Sequence, residues 1–135
     1  MAQKILIIED DRFLRKVIAK KLSREKYQII EAIDGEEGLR LAQLENPDLI
    51  LLDLVLPQID GFEVLERIKN NENISKIPVI ILSNLGGEDK ASKGLKMGAA
   101  DFLVKSELNP GEIVDKIKAV FEKSKKYIST YRSIR

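Results

Sequence analysis

Short apolar runs recur along the chain, and each ends on a polar residue. Ile5-Leu6-Ile7-Ile8 leads into Glu9-Asp10-Asp11, and Leu49-Ile50-Leu51-Leu52 leads into Asp53. Val79-Ile80-Ile81-Leu82 leads into Ser83-Asn84, and Phe102-Leu103-Val104 into Lys105. Runs of this length, separated by helix-like stretches, predict buried parallel strands. The pattern places strands at about 4–9, at 27–32 (the short run Tyr27-Gln28-Ile29-Ile30), at 48–53, after Pro78, and at 100–104.

The segments between them have helical spacing. Leu14, Val17, Ile18 and Leu22 mark a first helix. Asp34-Gly35 breaks the chain before a second helix, which runs to about Glu45 and is stopped by Asn46-Pro47. A third starts at about Asp60, a residue suited to an N-cap, with Phe62, Leu65 and Ile68 facing inward. Gly86-Gly87 opens into a fourth helix ending near Met97-Gly98. Asn109-Pro110 fits the start of a fifth, carrying Ile113, Ile117, Val120 and Phe121, with proline at the first helical position.

Strict alternation of strand and helix predicts an α/β domain: a parallel five-stranded sheet with right-handed crossovers and helices on both faces, three layers in all. Ligands of such sheets bind beyond the carboxyl ends of the strands. Those ends carry carboxylates, a hydroxyl and an ammonium, so they predict one polar site.

Composition narrows the chemistry. With 135 residues, 44% hydrophobic and 33% charged, the chain has the size and balance of one globular domain. No apolar run approaches the roughly 20 residues of a membrane helix, and the first run is cut off by acids too early for a signal peptide. The absence of cysteine excludes disulfides and thiolate metal sites and fits the cytoplasm. The absence of histidine excludes a Ser-His triad, histidine-ligated zinc and a phosphohistidine within the chain. The net charge of +1 hides an uneven distribution: residues 123–135 hold five basic residues and no acid, leaving 18 basic against 22 acidic residues elsewhere. A mildly acidic body argues against direct DNA binding.

The segments Ile5–Asp11, Leu49–Pro57, Val79–Ser83 and Gly98–Lys105 are similar to the motifs of bacterial response-regulator receiver domains, in the family's order and over about residues 3–122. The resemblance implies a flavodoxin-like doubly wound sheet of order 2-1-3-4-5 and a site in which Asp53 accepts a phosphoryl group. Taken alone, Asp53 is also readable as a strand-end cap or a turn residue. Glu9 and Asp10 match the family's acidic pair, and clustered carboxylates need a hard cation to coexist. By the resemblance, Asp10, Asp53 and the Val55 backbone carbonyl hold Mg2+ directly, with Glu9 acting through water. Asp11 is either part of this set or the cap of the first helix. Lys105 and Ser83 are implied as phosphoryl-binding residues. Phe102 is implied as a switch aromatic that follows Ser83 inward; the plain alternative is a core residue.

Some positions depart from the family's pattern. Ser106 stands where proline is common; a cis bond before a non-proline residue costs about 3–4 kcal/mol, which leaves a cis bond at Lys105–Ser106 open. Asn84 replaces a small residue and either narrows the entry or bonds the anion. Val55 and Leu85, at tuning positions, are apolar. In the tail, 123–135, Tyr127, Ile128, Tyr131 and Ile134 continue near-helical spacing after Phe121; this segment suits a partner contact, a lipid surface, a linker or a frayed end.

The expected function is that of a stand-alone receiver, residues 1–122, phosphorylated on Asp53 by a sensor histidine kinase or histidine phosphotransfer protein. It signals to an unknown output partner through its helix-four, strand-five, helix-five face, which is also a candidate homodimer surface. It is expected to be no enzyme beyond assisting its own phosphorylation and dephosphorylation. A phosphorelay intermediate and a phosphorylation-independent adaptor are the alternatives. An aspartyl phosphatase needs an acid where Val55 stands. A flavodoxin-type carrier needs a phosphate loop where Glu9-Asp10-Asp11-Arg12 stands.

Overall fold

The structure is a computed structural model that describes residues 2–84 and 87–134, with side chains up to Lys123. Five strands alternate with five helices: β1 (Lys4–Ile8), α1 (Arg12–Arg24), β2 (Gln28–Ala32), α2 (Gly35–Glu45), β3 (Leu49–Leu52), α3 (Gly61–Lys69), β4 (Val79–Ser83), α4 (Glu88–Lys96), β5 (Asp101–Val104) and α5 (Pro110–Ile134). All pairings are parallel and the order is β2-β1-β3-β4-β5. This is the doubly wound arrangement expected from the alternation.

The unbroken apolar runs reflect burial on both faces of the sheet. Side chains alternate across a strand, so Ile5, Ile7, Leu49, Leu51, Ile80 and Leu82 pack with α1 and α5. Leu6, Ile8, Ile50, Leu52, Val79 and Ile81 pack on the opposite side, against α2 and α3. From α3, Val64, Leu65 and Ile68 are fully enclosed there, each contributing about 1.5–3 kcal/mol relative to exposure.

Short polar side chains set the helix starts. Asp34 Oδ1 accepts from Glu37 N–H at 2.8 Å, Asp60 Oδ1 from Glu63 N–H at 2.9 Å, and Asn109 Oδ1 from Glu112 N–H at 2.9 Å. These bonds satisfy otherwise orphaned donors of the first turn. Asn46 ends α2 in a left-handed conformation, φ 46°, and its N–H returns to Ala42 O at 3.1 Å.

Two boundaries differ from the sequence reading. The ladder of β1 closes at Ile8 and that of β3 at Leu52, which leaves Glu9 and Asp53 just beyond the strands, on the rim. Helix α5 runs on to Ile134, past the end near 122 that the core residues suggest. Among the described side chains, its last core residue is Phe121, stacked obliquely against Tyr27 with ring centres 6.0 Å apart. The side-chain pattern proposed for the tail lies outside the described residues.

Candidate functional site

The two central strands deliver the acids. Asp53 N–H donates to Ile8 O at 3.1 Å, which ties the end of β3 to the end of β1. Beside it, Glu9 N–H donates to Ala32 O at 3.0 Å, so the next residue of β1 is held by β2. From the edge of the sheet, Lys105 follows β5 and reaches inward. Its ammonium donates to Glu9 Oε1 and lies 3.2 Å from Asp53 Oδ2. Glu9 and Asp53 are buried, Lys105 is largely covered and Asp10 is exposed.

The electrostatics follow from this crowding. Burial pushes the Glu9 carboxyl up to about 7, against the Lys105 and Asp11 N–H bonds that pull it down; the Asp53 charge adds to the rise. Burial works to lower the Lys105 pKa, but its bonds to Glu9 and Asp53 and their charges outweigh it, and the net shift is upward. Lys105 therefore remains a cation between two acids.

Carboxylate oxygens of Glu9, Asp10 and Asp53 can lie within 4.8 Å of one another. Three hard oxygen donors at this spacing, one open to solvent, fit a small divalent cation that keeps several waters. The donor set thus suits Mg2+.

Around this centre the predicted residues fall into place unequally. Ser83 ends β4, fully buried, in register with Val104 and hence next to Lys105 in the chain. Phe102 is half-buried on the α2, α3 and α4 side of the sheet and pairs with Ile81 of β4. The glycine of α4, Gly94, faces both: a Cβ placed on it would come within 3.4 Å of Phe102 Cδ2 and 2.6 Å of Ile81 Cδ1. Val55 is 54% exposed on the rim, and its N–H donates to Asp53 Oδ1 at 3.3 Å. Asn84 is exposed at the bend after β4. Leu85 lies outside the described residues. Asp11 is the N-cap of α1, its Oδ1 accepting from Leu14 N–H at 3.1 Å, while its own N–H donates to Glu9 Oε2 at 3.1 Å. No described peptide bond is cis, so Lys105–Ser106 is trans; Lys105–Glu107 forms a short 3-10 turn.

One residue near the site escaped the sequence reading. Arg15 is buried in α1 and donates from Nη1 to Glu9 O at 2.8 Å and from Nε to Glu31 Oε1 at 2.9 Å. A signal was present, because Arg15 precedes Ile18, Ala19 and Leu22 at inward-facing helical spacing.

The model for the response regulator receiver domain matches residues 5–118. The chain belongs to this family. The receiver domain is 35% identical over 124 residues to the alkaline phosphatase synthesis transcriptional regulatory protein PhoP of Bacillus subtilis, covering 92% of this chain and 50% of that protein. The chain spans about half the length of the curated relatives it matches. Among solved structures, the Francisella response regulator 1452 receiver domain superposes with a TM-score of 0.82 at 29% identity, covering 90% of this chain and 98% of that one. The CheX-CheY-BeF3-Mg complex from Borrelia burgdorferi gives a TM-score of 0.81 at 30% identity, covering 88% of this chain and 89% of the matched chain. Receiver domains of this family act in two-component signalling, where histidine kinases or phosphotransfer proteins supply the signal. Among the described residues, no helix is long and apolar enough to cross a membrane.

Proposed function

We propose that this receiver accepts a phosphoryl group on Asp53 from a phosphohistidine carried by a separate protein. The observation that carries the reading is the meeting of Asp53 with Glu9, Asp10 and Lys105 at one rim of the sheet. An Asp53 carboxylate oxygen attacks phosphorus, the bond from phosphorus to the imidazole nitrogen breaks, and the electron pair leaves with the donor. A mixed anhydride remains on Asp53. These 135 residues contain no histidine, so the phosphohistidine lies outside them.

Phosphoryl transfer is chiefly a matter of positioning and charge neutralisation. Lys105 serves both needs: it is already poised 3.2 Å from Asp53 Oδ2 and turns toward a phosphoryl oxygen. Ser83, at the neighbouring strand end, donates its hydroxyl to another. Asp10, Asp53 and the Val55 carbonyl would hold Mg2+, with Glu9 acting through water, and the ion would supply charge neutralisation for the phosphoryl oxygens. The chain assists its own phosphorylation and dephosphorylation and turns over no separate substrate. Movement of Ser83 toward the phosphoryl group opens space for the Phe102 ring, and α4, β5 and α5 present the changed surface to an output partner in the cytoplasm.

Intact mass after incubation with a small-molecule phosphodonor and Mg2+ tests the reading. One added phosphoryl group, lost in Asp53→Asn and with a chelator, is the expected result. No addition from small donors or from a panel of phosphorylated histidine proteins would overturn it.

A further inference from the structure

The contacts of Arg15 assign it a task in the site that it does not touch. It lies on the inner face of α1, 7% exposed, where an arginine is ordinarily excluded unless fully partnered. Its two bonds run to different elements: Nη1 to the Glu9 carbonyl at 2.8 Å, and Nε to the Glu31 carboxylate on β2 at 2.9 Å. Glu31 is held from a second side by Lys16 at 3.0 Å. Lys16 and Glu31 thus brace the guanidinium, and the guanidinium grips one peptide of the β1–α1 connection.

That peptide joins Glu9 to Asp10. Fixing its carbonyl fixes the peptide plane, and with it the directions in which both acidic side chains leave the backbone. The Glu9 N–H is already fixed by Ala32 O at 3.0 Å and the Asp11 N–H by Glu9 Oε2 at 3.1 Å. The carbonyl between them is the remaining handle, and Arg15 holds it. A rigid planar fork that fixes the relative direction of two acceptors is what arginine supplies and lysine, a point charge on a flexible stem, does not.

We infer that Arg15, braced by Glu31, is a positioning residue that sets the aim of Glu9 and Asp10 and so tunes the affinity of the site for a divalent cation. This rests on the reading of the acidic cluster as a Mg2+ site. Residues that orient metal ligands without touching the metal typically control affinity by about 10–100-fold. Removing one partner of a buried pair also costs stability, so the affinity and the amide shifts, not the thermal midpoint, separate positioning from bare support of the fold.

The experiment measures Mg2+ dissociation by calorimetry, amide shifts of Glu9, Asp10 and Asp11 in the metal-free protein, and the thermal midpoint. The variants are Arg15→Met, Arg15→Lys, Glu31→Gln and Asp10→Asn. The proposal expects Arg15→Met to weaken Mg2+ by about tenfold or more and to move the three amide shifts, alongside a lower midpoint from the broken pair. Arg15→Lys should recover only part of the affinity, and Glu31→Gln should weaken it in the same direction by less. A lower midpoint with unchanged affinity and shifts would make Arg15 merely structural and overturn the proposal. Should Arg15→Met not fold, Glu31→Gln decides: unchanged affinity and shifts overturn it, weakened affinity supports it. If Asp10→Asn leaves Mg2+ binding unchanged, the metal reading of the cluster fails instead, and the positioning role fails with it.

Discussion

Gly61 sits directly beneath the backbone of Asp53. A Cβ at this position would collide with the Asp53 carbonyl oxygen and come within 2.5 Å of Leu54 Cα, while the Gly61 N–H donates to Leu54 O at 2.8 Å. The first residue of α3 is therefore pressed against the loop that presents Asp53, and only glycine leaves room.

From this contact, Gly61→Ala should destabilise the fold by about 1–3 kcal/mol, the usual cost of forcing extra volume into close packing. The clash is with backbone, so relaxation must displace Asp53 itself. Urea unfolding measures the first effect, and the rate of Asp53 phosphorylation should fall alongside it.

Lys105 is the internal counter-cation of two buried acids, and Lys105→Met leaves them facing each other. The expected loss in metal-free buffer is about 3 kcal/mol, the range for breaking a buried pair from one side. A divalent cation binding the folded state then stabilises by mass action. Added Mg2+ should raise the unfolding midpoint of Lys105→Met by more than that of the parent; an equal rise in both would contradict the pairing.

Asp11 neighbours the cluster but works as a cap. Asp11→Ala should cost about 1 kcal/mol of stability through the lost bond to Leu14 N–H. Its N–H bond to Glu9 is a backbone contact that the substitution retains. Mg2+ affinity should accordingly change by less than about threefold, equivalent to under 0.7 kcal/mol, against complete loss in Asp53→Asn.

Far from the site, Lys69 closes the connection between α3 and β4. Its ammonium donates to Ser75 O at 3.1 Å and Ile77 O at 3.0 Å, and burial pulls its pKa below the ordinary lysine value. Lys69→Met strips both carbonyls of their donor and should cost about 1–2 kcal/mol. Hydrogen exchange should quicken across residues 71–77, with phosphorylation of Asp53 intact.

Much of this architecture is written locally in the chain. The two-faced burial of Ile5–Ile8 and Leu49–Leu52 is visible as apolar runs too continuous for a one-sided sheet. Asp60 and Asn109 announce helix starts by residue type alone, and both caps are observed. The acids and the lysine are legible because each terminates a strand. What stayed hidden depends on partners distant in sequence. The helical spacing turns Arg15 inward, but the partners of its charge, Glu31 and the Glu9 carbonyl, are visible only in the fold. The direct bond of Lys105 to Glu9 joins residues 96 apart. Gly61 and Gly94 look like ordinary helix residues, and only the packed sheet shows what a Cβ there would strike.

That 96-residue span has a consequence for a chain still being made. Glu9, Asp10 and Asp53 leave the ribosome well before Lys105, and a domain folds as a unit. Until β5 is available to dock at the sheet edge, Glu9 and Asp53 are without the Lys105 ammonium that bridges them in the finished fold. The completed rim therefore depends on the last strand having been laid down.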